Sequence, residues 1–332
     1  MLTATGGKVL GVGTASSQVA PSMEDSSAKR ETFLRQLSDA AREEAARRFD
    51  RHAGSGLVKK VKRLVAAPTI SIPYYLRRLG LPRGDGLEIK LFFGRKLRVY
   101  ANDLDASMLA TMGFPSGNPE LRLTKFLIKK LQRHDVFYDI GANHGFYTYL
   151  AREFCKEVHA FEPLHGVFEG LKANLADDTG VFLNEVALSN REGSAVMYVD
   201  RQHTGGSTIS ESVYSLDPCR YDETPKIDVR TMTLDGYVGE HSKPTILKMD
   251  VEGAESFVIE GGREFFKYYS PIVAMEVWPA HSQGSLSWKA LKTLLELNYT
   301  PHVIMPSGDL RRLDMHNPFP KTDTDNYVFV KQ

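Results

Sequence analysis

Two acids and two glycines stand where they could hold a charged nucleoside. Asp139, Gly141 and Gly145 fall within Val136-Phe-Tyr-Asp-Ile-Gly-Ala-Asn-His-Gly-Phe-Tyr-Thr148, and Glu162 ends the next apolar run, Val158-His-Ala-Phe-Glu162. Branched and aromatic residues from Val136 to Ile140 read as a buried strand. The glycines permit a sharp turn and a close approach of ligand to backbone, and a helix from Phe146 would point its N-terminus at that ligand. A carboxylate about 20 residues past the first glycine, at the tip of the second strand, can accept both hydroxyls of a ribose. The spacing is not G-x-G-x-x-G, and Asp139 would repel a pyrophosphate placed beside it. An anion there suits a ligand carrying an ammonium and a sulfonium, and S-adenosylmethionine carries both. The alternative at this level is an ordinary strand-turn-helix corner with a capping acid.

A second group of polar residues gathers further on. Thr245-Ile-Leu-Lys-Met-Asp250 reads as a buried strand that stops at an acid, and Glu252-Gly-Ala-Glu-Ser256 is expected to open the next helix. Strand alternation puts Lys248 on the same side as Asp250, where pairing would lower the acid's pKa and weaken it as a base. Ile272 to Glu276 is a further strand that ends in an acid.

The elements that must position these residues alternate. After the central strand come helix 166–175, strand 181–188, extended runs at 195–200 and 227–234, the strand to Asp250, the strand to Glu276, helix 288–297 and strands 300–305 and 326–330. Such alternation argues a parallel, doubly wound α/β sheet, with the last two strands free to turn back antiparallel. Upstream, 87–93 and 97–100 read as two strands around Gly94, and 121–131 as an amphipathic helix. Residues 1–28, rich in Gly, Ser, Thr and Ala, read as a disordered tail, and 29–85 as a helical extension before a domain at 86–332. The Gly11-Val-Gly-Thr-Ala-Ser16 stretch lacks a third glycine and is set aside. Within the extension, Leu57, Val58, Val61, Leu64 and Val65 form an apolar stripe among Lys59, Lys60, Lys62 and Arg63. Segment 57–65 suits either peripheral contact with an anionic membrane surface or packing on the main domain.

The totals narrow the classes. The chain has 332 residues, 42% hydrophobic and 25% charged, with a formal net charge of +1. That balance is globular and gives no reason to expect nucleic acid as a partner. Cys155 and Cys219 make no disulfide framework or metal spacing. With no long apolar run and no basic n-region before an apolar core, the expected location is cytoplasmic.

Phe137-Tyr-Asp-Ile-Gly-Ala-Asn-His-Gly-Phe-Tyr-Thr148 and Phe161-Glu-Pro163 resemble the FkbM family of S-adenosylmethionine-dependent O-methyltransferases. Ala187-Leu-Ser189, Leu247-Lys-Met-Asp-Val-Glu-Gly-Ala-Glu255 and Ile259-Glu-Gly-Gly262 follow in the same order. The likeness runs over roughly 88–330 and leaves the first 85 residues outside it. It implies the class I methyltransferase (Rossmann-like) fold, a sheet of seven strands with the last antiparallel. It also implies transfer to a hydroxyl of a sugar, glycolipid or secondary metabolite, so the partner is a small-molecule or glycan substrate.

By that resemblance Asp139, Gly141, Asn143 and Gly145 surround the methionine end of the cofactor. Glu162 holds the ribose, and Asn184 or Glu185 meets the adenine. Asp250 would lie beside the transferring methyl with Glu252 and Lys248 near it, either as general base or as N-cap of the following helix. His144 and His203 are rival bases, or packing residues. Asp250, Glu252 and Glu276 offer hard oxygens, but no spacing is diagnostic, so no metal is expected. Residues 200–226, with Tyr214, Arg220 and Tyr221, are expected to form a lid over the acceptor. Two other classes compete: a nicotinamide-dependent dehydrogenase and a catalytically silent nucleoside-binding module.

Overall fold

The computed structural model describes residues 23–52, 87–99, 109, 112–115, 117–175, 178–200, 203–216, 226–277, 286–313 and 326–331. Helix α1 spans Met23–His52, so it begins inside the stretch read as a tail. A separate antiparallel hairpin follows, β1 Leu87–Lys90 with β2 Lys96–Val99. Then come α2 Asn118–Lys130, β3 Val136–Ile140, α3 Phe146–Arg152, β4 Glu157–Phe161, α4 His165–Leu175, β5 Val181–Asn184, β6 Ala187–Ser189, β7 Gly193–Tyr198 and α5 Glu211–Leu216. The chain continues through β8 Lys226–Thr233, α6 Leu234–Glu240, β9 Ile246–Met249, α7 Glu255–Gly261, α8 Arg263–Tyr268 and β10 Ile272–Glu276. It closes with α9 Leu286–Glu296, β11 Tyr299–Ile304, β12 Leu310–Arg312 and β13 Asn326–Lys331. The basic segment 57–65 and the residues Cys219, Arg220 and Tyr221 lie outside the described residues.

The main sheet runs β12-β11-β13-β10-β9-β3-β4-β5. Strands β5, β4, β3, β9 and β10 are mutually parallel, and β13 inserts antiparallel between β10 and β11. That is the expected seven-stranded order with its antiparallel last strand, extended by the short hairpin strand β12. The chain winds outward from β3 to β5 and then returns to β9 on the other side of β3. Strand order therefore reverses between β3 and β9, and a ligand belongs above their C-terminal ends.

Alternation along the strands assigns the polar residues to one face. Phe137 of β3 and Ile246 of β9 pack into one core with α1, α2 and α3. Tyr138, Ile140, Leu247 and Met249 enter the opposite core with α6 to α9. Asp139 and Lys248 must then both face α2 and α3, and they are direct register partners on adjacent strands.

Two further boundaries differ from the sequence reading. The run 181–188 is not one strand: β5 ends at the edge of the main sheet, and β6 starts a second, three-stranded sheet, β6-β8-β7. An apolar run carries no mark of where its pairing partner changes. The helix expected from Glu252 begins at Glu255, because Glu252 (φ 53°) and Gly253 (φ 84°) take left-handed conformations that a helix cannot contain. Its N-cap is Ala254, so Asp250 does not cap it.

Candidate functional site

A cavity of about 400 Å³ opens above the C-terminal ends of β3, β4 and β9. Gly141, Asn143, His144, Glu162, Lys248, Asp250 and Glu252 all line it. The turn after β3 is fixed by Gly141 and Ala142, whose N–H groups both donate to Phe161 O at 3.1 and 3.0 Å. Gly141 has φ 78°, and a Cβ there would lie 1.9 Å from the carbonyl oxygen of Asp250. The close approach that requires glycine at this position is thus between the β3 and β9 turns. Gly145, also left-handed, starts α3, and a Cβ on it would strike Leu171.

Glu162 sits just beyond β4 and is buried. Its two oxygens accept from Asn143 N and Leu164 N, both at 2.9 Å. Burial pushes its carboxyl up to about 7, against the pull of those two donors. Two lone-pair directions remain for the paired hydroxyls of a ribose.

Beneath the turn lies an ion-paired row. Lys248 Nζ donates to Gly141 O at 2.9 Å and stands 3.4 Å from Asp139 Oδ1 and 3.5 Å from Asp250 Oδ2. Asp139 and Lys248 are 0% and 4% exposed, whereas Asp250 is 34% exposed, so Asp250 is the most open of the three and Asp139 does not reach the cavity. The pairing expected between Lys248 and Asp250 is present, and Asp139 shares the same ammonium. Thr148 Oγ1 donates to Asp139 Oδ2 at 2.7 Å, while Asp139 Oδ1 has no hydrogen-bond partner. Burial raises the Asp139 carboxyl, opposed chiefly by Lys248. Burial alone would lower Lys248, yet the charges of Asp139, Asp250 and Glu120 hold it above its ordinary value.

The remaining candidates divide. Glu255 lies behind the cavity, fully buried, accepting from Val251 N and Gly253 N at 3.2 Å, and so braces the β9 turn. The carboxylates of Asp250, Glu252 and Glu276 come within 4.8 Å of one another, oxygens of the kind a hard cation accepts. They meet because β9 and β10 end side by side, which residue spacing does not reveal. His203 lines the cavity with the loop through Ile209, and Thr208 Oγ1 in that loop donates to Glu252 O at 2.8 Å. Part of the expected lid therefore covers the site. Tyr214 instead stacks on Tyr198 at 4.3 Å beneath Lys226.

Asn184 and Glu185 do not line this cavity. Asn184 Nδ2 donates to Ala160 O and Phe182 O, Glu185 pairs with His165 at 2.8 Å, and both border a separate cavity of about 580 Å³. Val186, Ala187 and Leu188 line the cavity above β3, β4 and β9 instead. These apolar residues suit the faces of an adenine ring better than its polar edge.

Sequence reasoning missed Glu120 on α2 and Tyr147 on α3. Tyr147 OH donates to Glu120 Oε2 at 2.5 Å, and the Lys248 ammonium lies 5.3 Å from the Tyr147 ring centre. The only signal for Glu120 in the sequence is its place just ahead of an amphipathic helix.

The residues present fit S-adenosylmethionine. Buried acids and backbone carbonyls suit its cationic end, Glu162 suits its ribose, and a cavity of this size lies within the usual range for such ligands.

Comparison with known proteins gives the family. Residues 139–304 match the family described as Methyltransferase FkbM domain. A curated relative, Methyltransferase 1 of Beauveria bassiana (strain ARSEF 2860), is 28% identical over 175 residues, 48% of this chain and 69% of that protein. Among solved structures, the FkbM methyltransferase of Methylobacillus flagellatus KT is similar at 13% identity and a TM-score of 0.38. That match covers 60% of this chain and 44% of the other, so this chain spans less than half the length of that protein. SMU.1697c of Streptococcus mutans, a putative methyltransferase solved in complex with SAH, is similar at 9% identity and a TM-score of 0.34, covering 65% of this chain and 98% of that one.

Proposed function

Because the chain belongs to the FkbM methyltransferase family, we propose that the methyl group it transfers goes to a hydroxyl oxygen of a sugar, glycolipid or secondary metabolite. The cofactor is S-adenosylmethionine, which supplies an already activated methyl on a sulfonium. Family membership overturns the dehydrogenase reading.

What is left to the protein is to orient, exclude water and move a proton. Glu162 receives the ribose hydroxyls and, through Asn143 N, ties that contact to the glycine turn. Asp139 and Asp250 lay negative charge under the cationic end, and Lys248 keeps the two acids from repelling each other. The loop 203–209 closes over the cavity, with Thr204 Oγ1 within 3.4 Å of Asn143 Oδ1.

An oxygen acceptor is supported by one observation above all. Carboxylates, from Glu120 to Glu276, crowd the cavity around Asp250. A hydroxyl attacks well only as its proton leaves, and a carboxylate at hydrogen-bond distance is the group that takes it.

The test is to incubate the protein with methyl-labelled S-adenosylmethionine and a mixture of glycans and small metabolites, then to locate the label. Label on an ether oxygen is expected. Label on nitrogen, carbon or sulfur would overturn the oxygen assignment. Binding of S-adenosylhomocysteine without transfer to any acceptor would favour the silent module.

A further inference from the structure

Resting on that reading of the cavity, we propose that Glu120 is the carboxylate that faces the transferring methyl and takes the proton of the acceptor hydroxyl. Glu120 lies on α2 and its partner Asn326 on β13, both outside the matched region 139–304.

Asp139, Asp250 and Glu162 are each engaged elsewhere. Asp139 is sealed beneath the turn, and Asp250 is ion-paired to the Lys248 ammonium at 3.5 Å. Glu162 is committed to the glycine turn and the ribose. Glu120 is held differently: Oε2 accepts from Tyr147 OH at 2.5 Å and Oε1 from Asn326 Nδ2 at 2.8 Å. Those donors are neutral, so they fix the carboxylate's direction without cancelling its charge.

Its surroundings also raise its affinity for a proton. Burial pushes the Glu120 carboxyl up, and the Asp250 charge pushes the same way, against Tyr147, Asn326 and the Lys248 ammonium. Tyr147 stays a donor throughout, because burial and then the Glu120 charge hold its phenol far above the ordinary range. When Glu120 takes up a proton, Tyr147 OH has other acceptors to turn to, Thr124 Oγ1 and Glu120 O, each at 3.4 Å. The network can therefore accept a proton without stranding a buried hydroxyl.

The step balances. The acceptor's O–H bond breaks, its proton passes to a Glu120 oxygen and its electron pair forms the new O–CH₃ bond. The S–CH₃ bond breaks, and its electrons return to sulfur as a neutral thioether.

Calorimetry with two probes tests this without knowing the acceptor. S-adenosylhomocysteine carries nothing at the transfer point, whereas sinefungin carries a protonated amine there. Wild type should prefer sinefungin. Glu120→Gln should weaken sinefungin about tenfold or more while leaving S-adenosylhomocysteine within about twofold. Tyr147→Phe, which keeps the charge, should retain most of the sinefungin preference and so controls for disturbed packing. With an acceptor in hand, Glu120→Gln should lower kcat about 100-fold or more without raising KM for the cofactor. Equal loss of both probes, or loss of neither, in a folded Glu120→Gln protein would overturn the assignment. Failure of wild type to bind S-adenosylhomocysteine would instead refute the cofactor site itself.

Discussion

At the residue scale the site is governed by where charge is buried and what answers it. Burial outweighs two backbone donors and pushes the Glu162 carboxyl up to about 7. Ribose hydroxyls placed there would donate to the ionised carboxylate, so their binding would favour loss of that proton. Affinity for S-adenosylhomocysteine should therefore be steady above about pH 7 and weaken as the pH falls through it, by up to about tenfold per unit. Titration calorimetry from pH 5.5 to 8.5 reads this, and a flat profile would place the ribose elsewhere. Lys248 makes a second prediction. Lys248→Met would leave Asp139 buried with only Thr148 beside it, and should cost about 3–5 kcal/mol of stability by denaturant unfolding. Asp139, Glu162 and the Lys248–Asp250 pairing were legible in the sequence, since each follows from one strand and its alternation. Glu120 and the Glu252–Glu276 approach were not, because they depend on which strands and helices end side by side.

At the element scale the N-terminal helix is the main revision. Phe33 and Leu37 of α1 are buried in the core shared with α2 and α3. Phe33 meets Phe93 and Phe154 at 5.4 and 5.2 Å between ring centres. Lys29 Nζ bonds Glu153 Oε2 at 2.8 Å, and Arg30 reaches Ile128 O. The sequence marks this stretch only as part of a helical extension, which gives no hint that two apolar residues anchor it. Removing residues 1–22 should leave stability unchanged, whereas Phe33→Ala should cost about 3 kcal/mol. Thermal or urea unfolding of both would check this, and a neutral Phe33→Ala would mean that α1 is loosely attached. The sheet was more legible, because β3, β4, β9 and β10 are short apolar runs with clear turns. The split between β5 and β6 and the late start of α7 were hidden, since pairing partners and left-handed turns leave little trace in hydrophobic pattern.

At the scale of the whole molecule, the fold places its polar residues at the reversal of strand order and closes that crevice with α2 and the loop 203–209. Among the described residues no helix is long and apolar enough to cross a membrane. On the proposed reading a nucleoside with a cationic tail lies between β3 and β9, its ribose on Glu162. Calorimetric titration of S-adenosylhomocysteine into wild type and into Glu162→Ala, with NAD as the control, tests that claim most directly. One site per chain, no NAD binding, and a loss of about 1.5–3 kcal/mol of binding free energy in the variant are expected. Unchanged affinity in a folded Glu162→Ala protein, or binding of NAD in place of S-adenosylhomocysteine, would contradict it.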